Sequence, residues 1–182
     1  MTEYNKLIND VNNGKFSPIY LIHGEENYFI NNIIENITRN VINETSADFD
    51  LKKIYGKKSD ESQENDIIDF VKRFPLSGDY NLLIAKDSKN ISTDFKNIIS
   101  YIENNNPKTI LVLSFTNNVD KRKKIYKSSL KNGVVFESKK IYDNQVYNWI
   151  QDQCKSKSLN LHPNSIKIIE DFTGNDLSQI DN

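Results

Sequence analysis

The turn after the first apolar strand is where this sequence comes nearest to a nucleotide-binding motif. Residues 19–22 predict a buried strand, and the turn that follows leads into a long amphipathic helix. A phosphate loop at such a turn needs several glycines, a lysine for the phosphates and a Ser or Thr for magnesium. This turn has one glycine, and the carboxylates of Glu25 and Glu26 would repel a phosphate. We predict either a degenerate phosphate loop without nucleotide, formed by Gly24, Glu25, Glu26 and Asn27, or an ordinary strand–helix connection.

A second group of polar residues follows the predicted strands and belongs to a different chemistry. Parallel strands place their carboxyl ends at one edge of an open sheet. Acidic, hydroxyl and amino groups that could accept and hold a phosphoryl group fall there, namely Glu25, Glu26, Asp87, Thr116 and either Lys139 or Lys140. A receiver-like phospho-accepting signalling domain is therefore an open alternative.

The composition excludes several other functions. The 182 residues carry 24 Lys and Arg against 25 Asp and Glu, and a net charge of -1 gives no global attraction to nucleic acid or anionic membranes. Cys154, His23 and His162 cannot form an internal disulfide or complete a common structural zinc site. We therefore expect no catalytic residue, no metal and no cofactor. No signal peptide and no apolar run of membrane-spanning length is found, so the expected location is cytoplasmic.

Strands and helices alternate along the first 140 residues. Strands are predicted over residues 19–22, 49–55, 82–85, 110–115 and 134–136, and helices over residues 2–12, 29–41, 62–73, 94–103 and 121–132. The strand over residues 110–115 is apolar almost throughout, which is typical of a parallel sheet covered on both faces. The alternation predicts an α/β fold with a doubly wound parallel five-stranded sheet.

The strands cease near residue 140, where the pattern becomes purely helical. Helices are predicted over residues 144–157 and 163–172, with a last short helical piece after Gly174. We expect one domain over residues 1–140 and the start of a small helical domain over residues 141–182. Because the helical pattern still runs at Asn182, we expect this second domain to be incomplete.

The segment Phe74-Pro75-Leu76-Ser77-Gly78 interrupts a helical pattern with two large apolar residues. Pro75 disfavours a helical conformation at Phe74, and the Ser-Gly pair is typical of a turn. Two interpretations are open: Phe74 and Leu76 cap the core under the next strand, or they are displayed as anchors for a partner. In the second, Pro75 would lower the entropy cost of ordering the segment on binding.

Four stretches of the chain together resemble the delta-subunit family of the bacterial DNA polymerase III clamp loader. They read PIYLIHGEENYFI from Pro18, FPLSGD from Phe74 with the strand after it, DKRKKIYK from Asp120 and GNDLSQI from Gly174. The stretches follow the order and spacing of the family. They depart from it at Leu76-Ser77, where many relatives carry two bulky residues, and after Gly78, where arginines are common.

This resemblance implies an AAA+-type fold, with a RecA-like domain over residues 1–140 and the start of a helical lid domain over residues 141–182. The family's third, collar domain would be absent. Members bind no ATP; they bind the ring-shaped sliding clamp, the beta subunit, and open one interface of it. The resemblance assigns clamp binding to Phe74, Pro75, Leu76, Ser77 and Gly78. It makes the chain a subunit of a DNA-directed DNA polymerase holoenzyme without catalysis of its own.

Residues 121–124, extended by Lys127 and Lys131, form a basic stretch with more than one interpretation. It is the solvated face of a helix, or it faces a neighbouring subunit or DNA. The resemblance leaves this open and implies other clamp-loader subunits as partners of the full-length protein, with DNA contacted only indirectly. We expect no membrane partner and a monomer for this chain.

Overall fold

A computed structural model describes residues 2–57 and 62–181. The first predicted domain begins at Met1 and the second ends at Asn182, and these two residues lie outside the described ranges. Within these ranges five parallel strands form one sheet in the order β2-β3-β4-β1-β5. They are β1 (Ile19–Gly24), β2 (Leu51–Tyr55), β3 (Asn81–Lys86), β4 (Thr109–Phe115) and β5 (Val134–Ser138). The predicted α/β class with a parallel five-stranded sheet is confirmed.

Helices cover both faces of this sheet because successive side chains of each strand point to opposite faces. In β1, Ile19 and Leu21 pack into one apolar cluster, and Tyr20 and Ile22 pack into the other. The first cluster is closed by α4 (Ser62–Val71), α5 (Lys96–Glu103) and α6 (Lys124–Asn132), and the second by α1 (Glu3–Asn12) and α2 (Asn27–Val41). The sheet is therefore doubly wound, and this explains its nearly continuous apolar strands.

Several predicted boundaries are wrong by two or three residues, among them the start of the second strand and the start of the helix predicted from residue 121. The strand predicted from residue 49 begins at Leu51, because residues 47–50 form the short helix α3 (Ala47–Asp50). The helix predicted from residue 121 begins at Lys124. There the carboxylate of Asp120 accepts the backbone N–H of Arg122 at 2.9 Å and holds the residues before α6 in a turn.

The chain divides into two compact units, residues 1–138 and 139–182. The second unit contains α7 (Asp143–Ser156), α8 (Pro163–Thr173) and α9 (Leu177–Asp181). Its small core is built on Val146, Ile150 and Ile166. The division falls two residues before the boundary expected from sequence, and the identity of the second unit as the start of a lid domain stays a prediction.

Candidate functional site

The turn between β1 and α2 packs against the last residue of strand β5. Gly24 has a φ of +134°, and a Cβ there would lie 2.0 Å from the backbone oxygen of Ser138, so only glycine fits. That oxygen accepts the backbone N–H of Glu25 at 2.9 Å and that of Glu26 at 3.4 Å. The two donors that would face a phosphate at this turn are therefore already bonded to a protein carbonyl.

The side chains of the turn complete the same closure. The carboxylate of Glu26 accepts the backbone N–H of Tyr28 at 3.3 Å and caps α2, whose first residue is Asn27. The hydroxyl of Ser138 donates to the carbonyl oxygen of Glu26 at 2.6 Å. The structure thus brings the predicted phosphate-loop residues together with Ser138, which the sequence reasoning missed.

The strand order contradicts the receiver-like alternative. Glu25 follows β1, Asp87 follows β3, Thr116 follows β4 and Lys139 follows β5. A receiver sheet runs 2-1-3-4-5, so its first and third strands are neighbours. Here β4 lies between β1 and β3, which separates Asp87 from Glu25 by two strand spacings, or about 10 Å. The acidic groups therefore do not form a phospho-accepting site, and that alternative is wrong.

The segment between α4 and β3 presents two large apolar side chains to solvent. Phe74 is 73% exposed and Leu76 is 71% exposed. The interpretation in which both cap the core under β3 is therefore wrong. Helix α4 ends at Val71, and Pro75 keeps the following residues from continuing it. We call residues 72–80 the anchor loop, after these two side chains.

Asp50, the last residue of α3, holds the anchor loop from inside the protein. It is fully buried, and its carboxylate accepts the backbone N–H groups of Leu76 at 2.7 Å, Ser77 at 2.9 Å and Gly78 at 2.6 Å. Burial alone raises the pKa of Asp50, but the three N–H donors and the nearby Arg73 outweigh it and hold that pKa below its ordinary value. Asp50 is therefore ionised at neutral pH, and three charge-assisted hydrogen bonds fix the loop backbone.

Further contacts fix the beginning and the end of the anchor loop. The guanidinium of Arg73 donates to the carbonyl oxygen of Phe49 at 2.7 Å and lies 4.2 Å from the ring centre of Phe70. At the other end, the side-chain amide of Asn81, the first residue of β3, donates to the carbonyl oxygen of Arg73 at 2.7 Å. The loop is therefore tied to α3, α4 and β3 by polar contacts.

Gly78 and Pro75 shape the anchor loop itself. A Cβ on Gly78 would lie 3.2 Å from the Cβ of Ser46, so the loop packs tightly against the residue that precedes α3. Pro75 is half-buried between the two exposed anchors and restricts the backbone there. The five residues predicted from sequence thus lie in one loop, where two display side chains and three shape the backbone.

Three of the six cations in the basic stretch, at the start of α6 and just before it, pair with neighbouring carboxylates. Lys121 pairs with Glu137 at 2.8 Å, and Lys124 lies 3.7 Å from Glu103. Arg122 forms a fork with Asp120, with a shortest distance of 2.8 Å. The hydrogen bonds from Arg122 lower the pKa of Asp120 to about 2. The stretch therefore presents less net positive charge than its sequence indicates, which favours a solvated face over a DNA contact.

The remaining candidate residues for chemistry do not form a site. Among residues 2–57 and 62–181 no group of three His, Cys, Asp or Glu side chains is arranged to hold a metal ion. His23 is buried against the ring of Tyr126, and burial lowers the pKa of its imidazole. Cys154 packs against the small core of the second unit. In the same ranges of the chain, no helix combines the length and apolar character needed to cross a bilayer.

Sequence reasoning missed Asp50 and Ser138, which organise the two candidate sites. Asp50 accepts hydrogen bonds from residues that lie 26 to 28 positions later in the chain, and Ser138 donates one to a residue 112 positions earlier. No local pattern pairs residues at such separations. One signal for Asp50 was available: a carboxylate near the start of a predicted strand needs a polar partner if it is buried.

Comparison with known proteins gives consistent matches. The sequence model of the family described as DNA polymerase III, delta subunit, matches residues 20–139. The DNA polymerase III subunit delta of Bacillus subtilis (strain 168) is 25% identical over 138 residues, a match that covers 70% of this chain and 39% of the relative. These matches confirm the resemblance based on four stretches of sequence.

Two solved structures share the fold. The DNA clamp loader delta protein of Bacillus subtilis superposes with a TM-score of 0.82 at 21% identity, over 98% of this chain and 55% of that one. A DNA polymerase III gamma subunit-related protein of Thermotoga maritima superposes with a TM-score of 0.52 at 14% identity, over 83% of this chain and 50% of that one. At these identities the likeness is one of fold. The chain spans between 39% and 55% of the length of these relatives.

Proposed function

Because the chain belongs to the DNA polymerase III delta-subunit family, we propose that it binds a ring-shaped sliding clamp and opens one interface of the ring during DNA replication. The proposal assigns clamp binding to the anchor loop, with Phe74 and Leu76 as the side chains that enter the clamp. It assigns no catalysis to this chain. ATP hydrolysis would belong to neighbouring subunits of the loader.

One observation carries the clamp-binding proposal: two large apolar side chains are displayed on a loop whose backbone is fixed from within. Phe74 and Leu76 are mostly exposed, and Asp50 holds the three backbone N–H groups that start at Leu76. A fixed loop loses little conformational entropy on binding. Each anchor that enters an apolar pocket contributes about 1.5–3 kcal/mol. A loop of this kind is better explained as a binding site for a partner than as a cap on the protein core.

The β1–α2 turn supports the part of the proposal that excludes ATP. Its backbone donors bond to Ser138, and Glu25 and Glu26 stand where phosphates would lie. Binding a triphosphate there would require breaking the Ser138 contacts and placing like charges side by side. The chain would therefore act as a loader subunit that neither binds nor hydrolyses nucleotide.

The proposed partners are the clamp and other clamp-loader subunits. DNA would be contacted only indirectly, since Lys121, Arg122 and Lys124 are paired with carboxylates. For this chain we propose a monomer that acts in the cytoplasm and has no membrane partner.

The proposal is tested by measuring the affinity of this chain for the sliding clamp of the same organism. Phe74→Ala combined with Leu76→Ala is expected to abolish binding while the circular dichroism spectrum stays native, since neither side chain packs in the core. A matched control combines Phe172→Ala with Leu130→Ala, which removes a second exposed Phe and Leu outside the loop. Clamp affinity that survives the loop substitutions, or falls equally in the control, would refute the assignment.

A further inference from the structure

We infer that Phe49 is a third anchor of the clamp-binding surface. This inference rests on the clamp binding proposed above for Phe74 and Leu76. It extends the site from one loop to two segments of the chain, the anchor loop and helix α3. No local sequence pattern joins them, because Phe49 lies 25 positions before Phe74.

Helix α3 shows an inverted pattern of burial that points to this role. Its flanking residue Ser46 and its last residue Asp50 are fully buried, whereas Phe49 is 53% exposed. A helix of a soluble domain ordinarily buries its apolar residue and exposes its carboxylate. Here the polar groups face inward because they hold a neighbouring backbone, and the aromatic ring is left at the surface. The protein core does not explain the position of this ring.

Phe49 is tied to the anchor loop through its own backbone. Its carbonyl oxygen accepts the guanidinium of Arg73, the residue before Phe74, at 2.7 Å. The next residue, Asp50, accepts the N–H of Leu76 at 2.7 Å. Helix α3 and the anchor loop are therefore linked on either side of Phe74 by hydrogen bonds from the side chains of Arg73 and Asp50 to the backbone of the other segment. A partner that contacts Phe74 and Leu76 meets α3 as part of the same fixed unit.

The size of a stable interface supports a third anchor. A specific complex buries about 800 Å² on each partner, whereas one fully buried aromatic side chain supplies about 150–250 Å². Phe74 and Leu76 alone fall well short of that area. Energetically dominant residues also cluster at the centre of an interface and are enriched in aromatic side chains. Phe49 has the chemistry and the position to extend the cluster toward an apolar surface of the clamp.

The test compares Phe49→Ala with a matched exposed aromatic. Tyr55→Ala is the control, since Tyr55 is 55% exposed at the opposite end of the adjacent strand β2. In titrations with the clamp, Phe49→Ala is expected to raise Kd by about tenfold, or about 1.4 kcal/mol, and Tyr55→Ala to leave it unchanged. Phe49→Leu is expected to retain most of the affinity because it keeps apolar area. The backbone bonds of residue 49 persist in all these variants.

A photo-crosslinking side chain at position 49 separates direct contact from an effect through the loop. It is expected to link to the clamp, and the same group at position 55 is not. Suppose that Phe74→Ala with Leu76→Ala abolishes clamp binding. If Phe49→Ala then binds the clamp normally, or if position 49 gives no crosslink, the inference is refuted and the proposed function stands. If the Phe74/Leu76 double variant binds like the unaltered chain, the proposed function falls and the inference falls with it.

Discussion

Replacing Asp50 with Asn tests whether the anchor loop is held by a buried charge. The substitution preserves the size of the side chain and changes its hydrogen-bonding groups. One carboxylate oxygen accepts from Leu76, and the other accepts from Ser77 and Gly78. An asparagine has one acceptor oxygen, so its NH₂ group must face at least one of these N–H donors. That donor loses its partner, and the other bonds lose their charge assistance.

The cost follows from these contacts. A hydrogen bond to a charged group contributes about 1.5–3 kcal/mol, and a buried donor left without a partner costs about 1–3 kcal/mol. With one bond lost and the others weakened, we expect Asp50→Asn to lower the free energy of unfolding by about 2–4 kcal/mol. Fixing one backbone residue costs about 1–2 kcal/mol. A loosened loop should therefore raise the Kd for the clamp by at least about tenfold.

The pH dependence gives the same argument a second test. The pKa of Asp50 is lower in the folded protein than its ordinary value, which is about 3.9 in an unfolded chain. Its contribution to stability is therefore fully present above that ordinary value and is lost as the pH falls through the lower folded value. The stability difference between the original protein and Asp50→Asn should stay constant near neutral pH. It should shrink below about pH 4.

Urea unfolding across a pH series measures both effects, with Asp48→Asn as the control. Asp48 lies two residues earlier on the same helix and is exposed, so its replacement makes the same change of charge without breaking the loop contacts. Equal stability of Asp50→Asn and the original protein at pH 7 would refute the reasoning. So would a difference that persists unchanged in acid while both proteins remain folded.

Two further predictions concern the β1–α2 turn. Gly24→Ala should lower the free energy of unfolding by about 2–4 kcal/mol, because its Cβ meets the Ser138 backbone at a positive φ. Gly14→Ala, also at a positive φ but with open space around it, should cost no more than about 1 kcal/mol in the same urea titration; equal losses would contradict the packing argument. Calorimetric titration of this chain with Mg-ATP should show no binding, and a saturable isotherm would overturn the exclusion of nucleotide.

Much of the fold was predictable because the relevant signals are local. Continuous apolar runs such as residues 110–115 predict strands covered on both faces, and the helical periodicities between them predict a doubly wound sheet. Two of the wrong boundaries lie at residues 49–50 and 121–123, and at the second of these the carboxylate of Asp120 bonds to the backbone of Arg122. Such side-chain-to-backbone bonds override the propensities that a sequence pattern reads.

The candidate site was predictable only in part. The sequence placed Phe74 and Leu76 beside a proline, yet it allowed both a core cap and an exposed anchor. Their exposure depends on what packs beneath the loop, and that is the carboxylate of Asp50. The role inferred for Phe49 likewise rests on a long-range contact, the bond from Arg73 to its carbonyl oxygen, which no local pattern indicates.

The amino-acid sequence by itself determined the class of fold, the lack of a phosphate-binding composition at the first turn and the resemblance to a family. Those properties depend on residue type and near-neighbour spacing. The tertiary structure decided the strand order that excludes a receiver site, the closure of the turn on Ser138 and the display of the anchors over Asp50. These depend on hydrogen bonds between residues far apart in the chain, which exist only once the sheet has assembled.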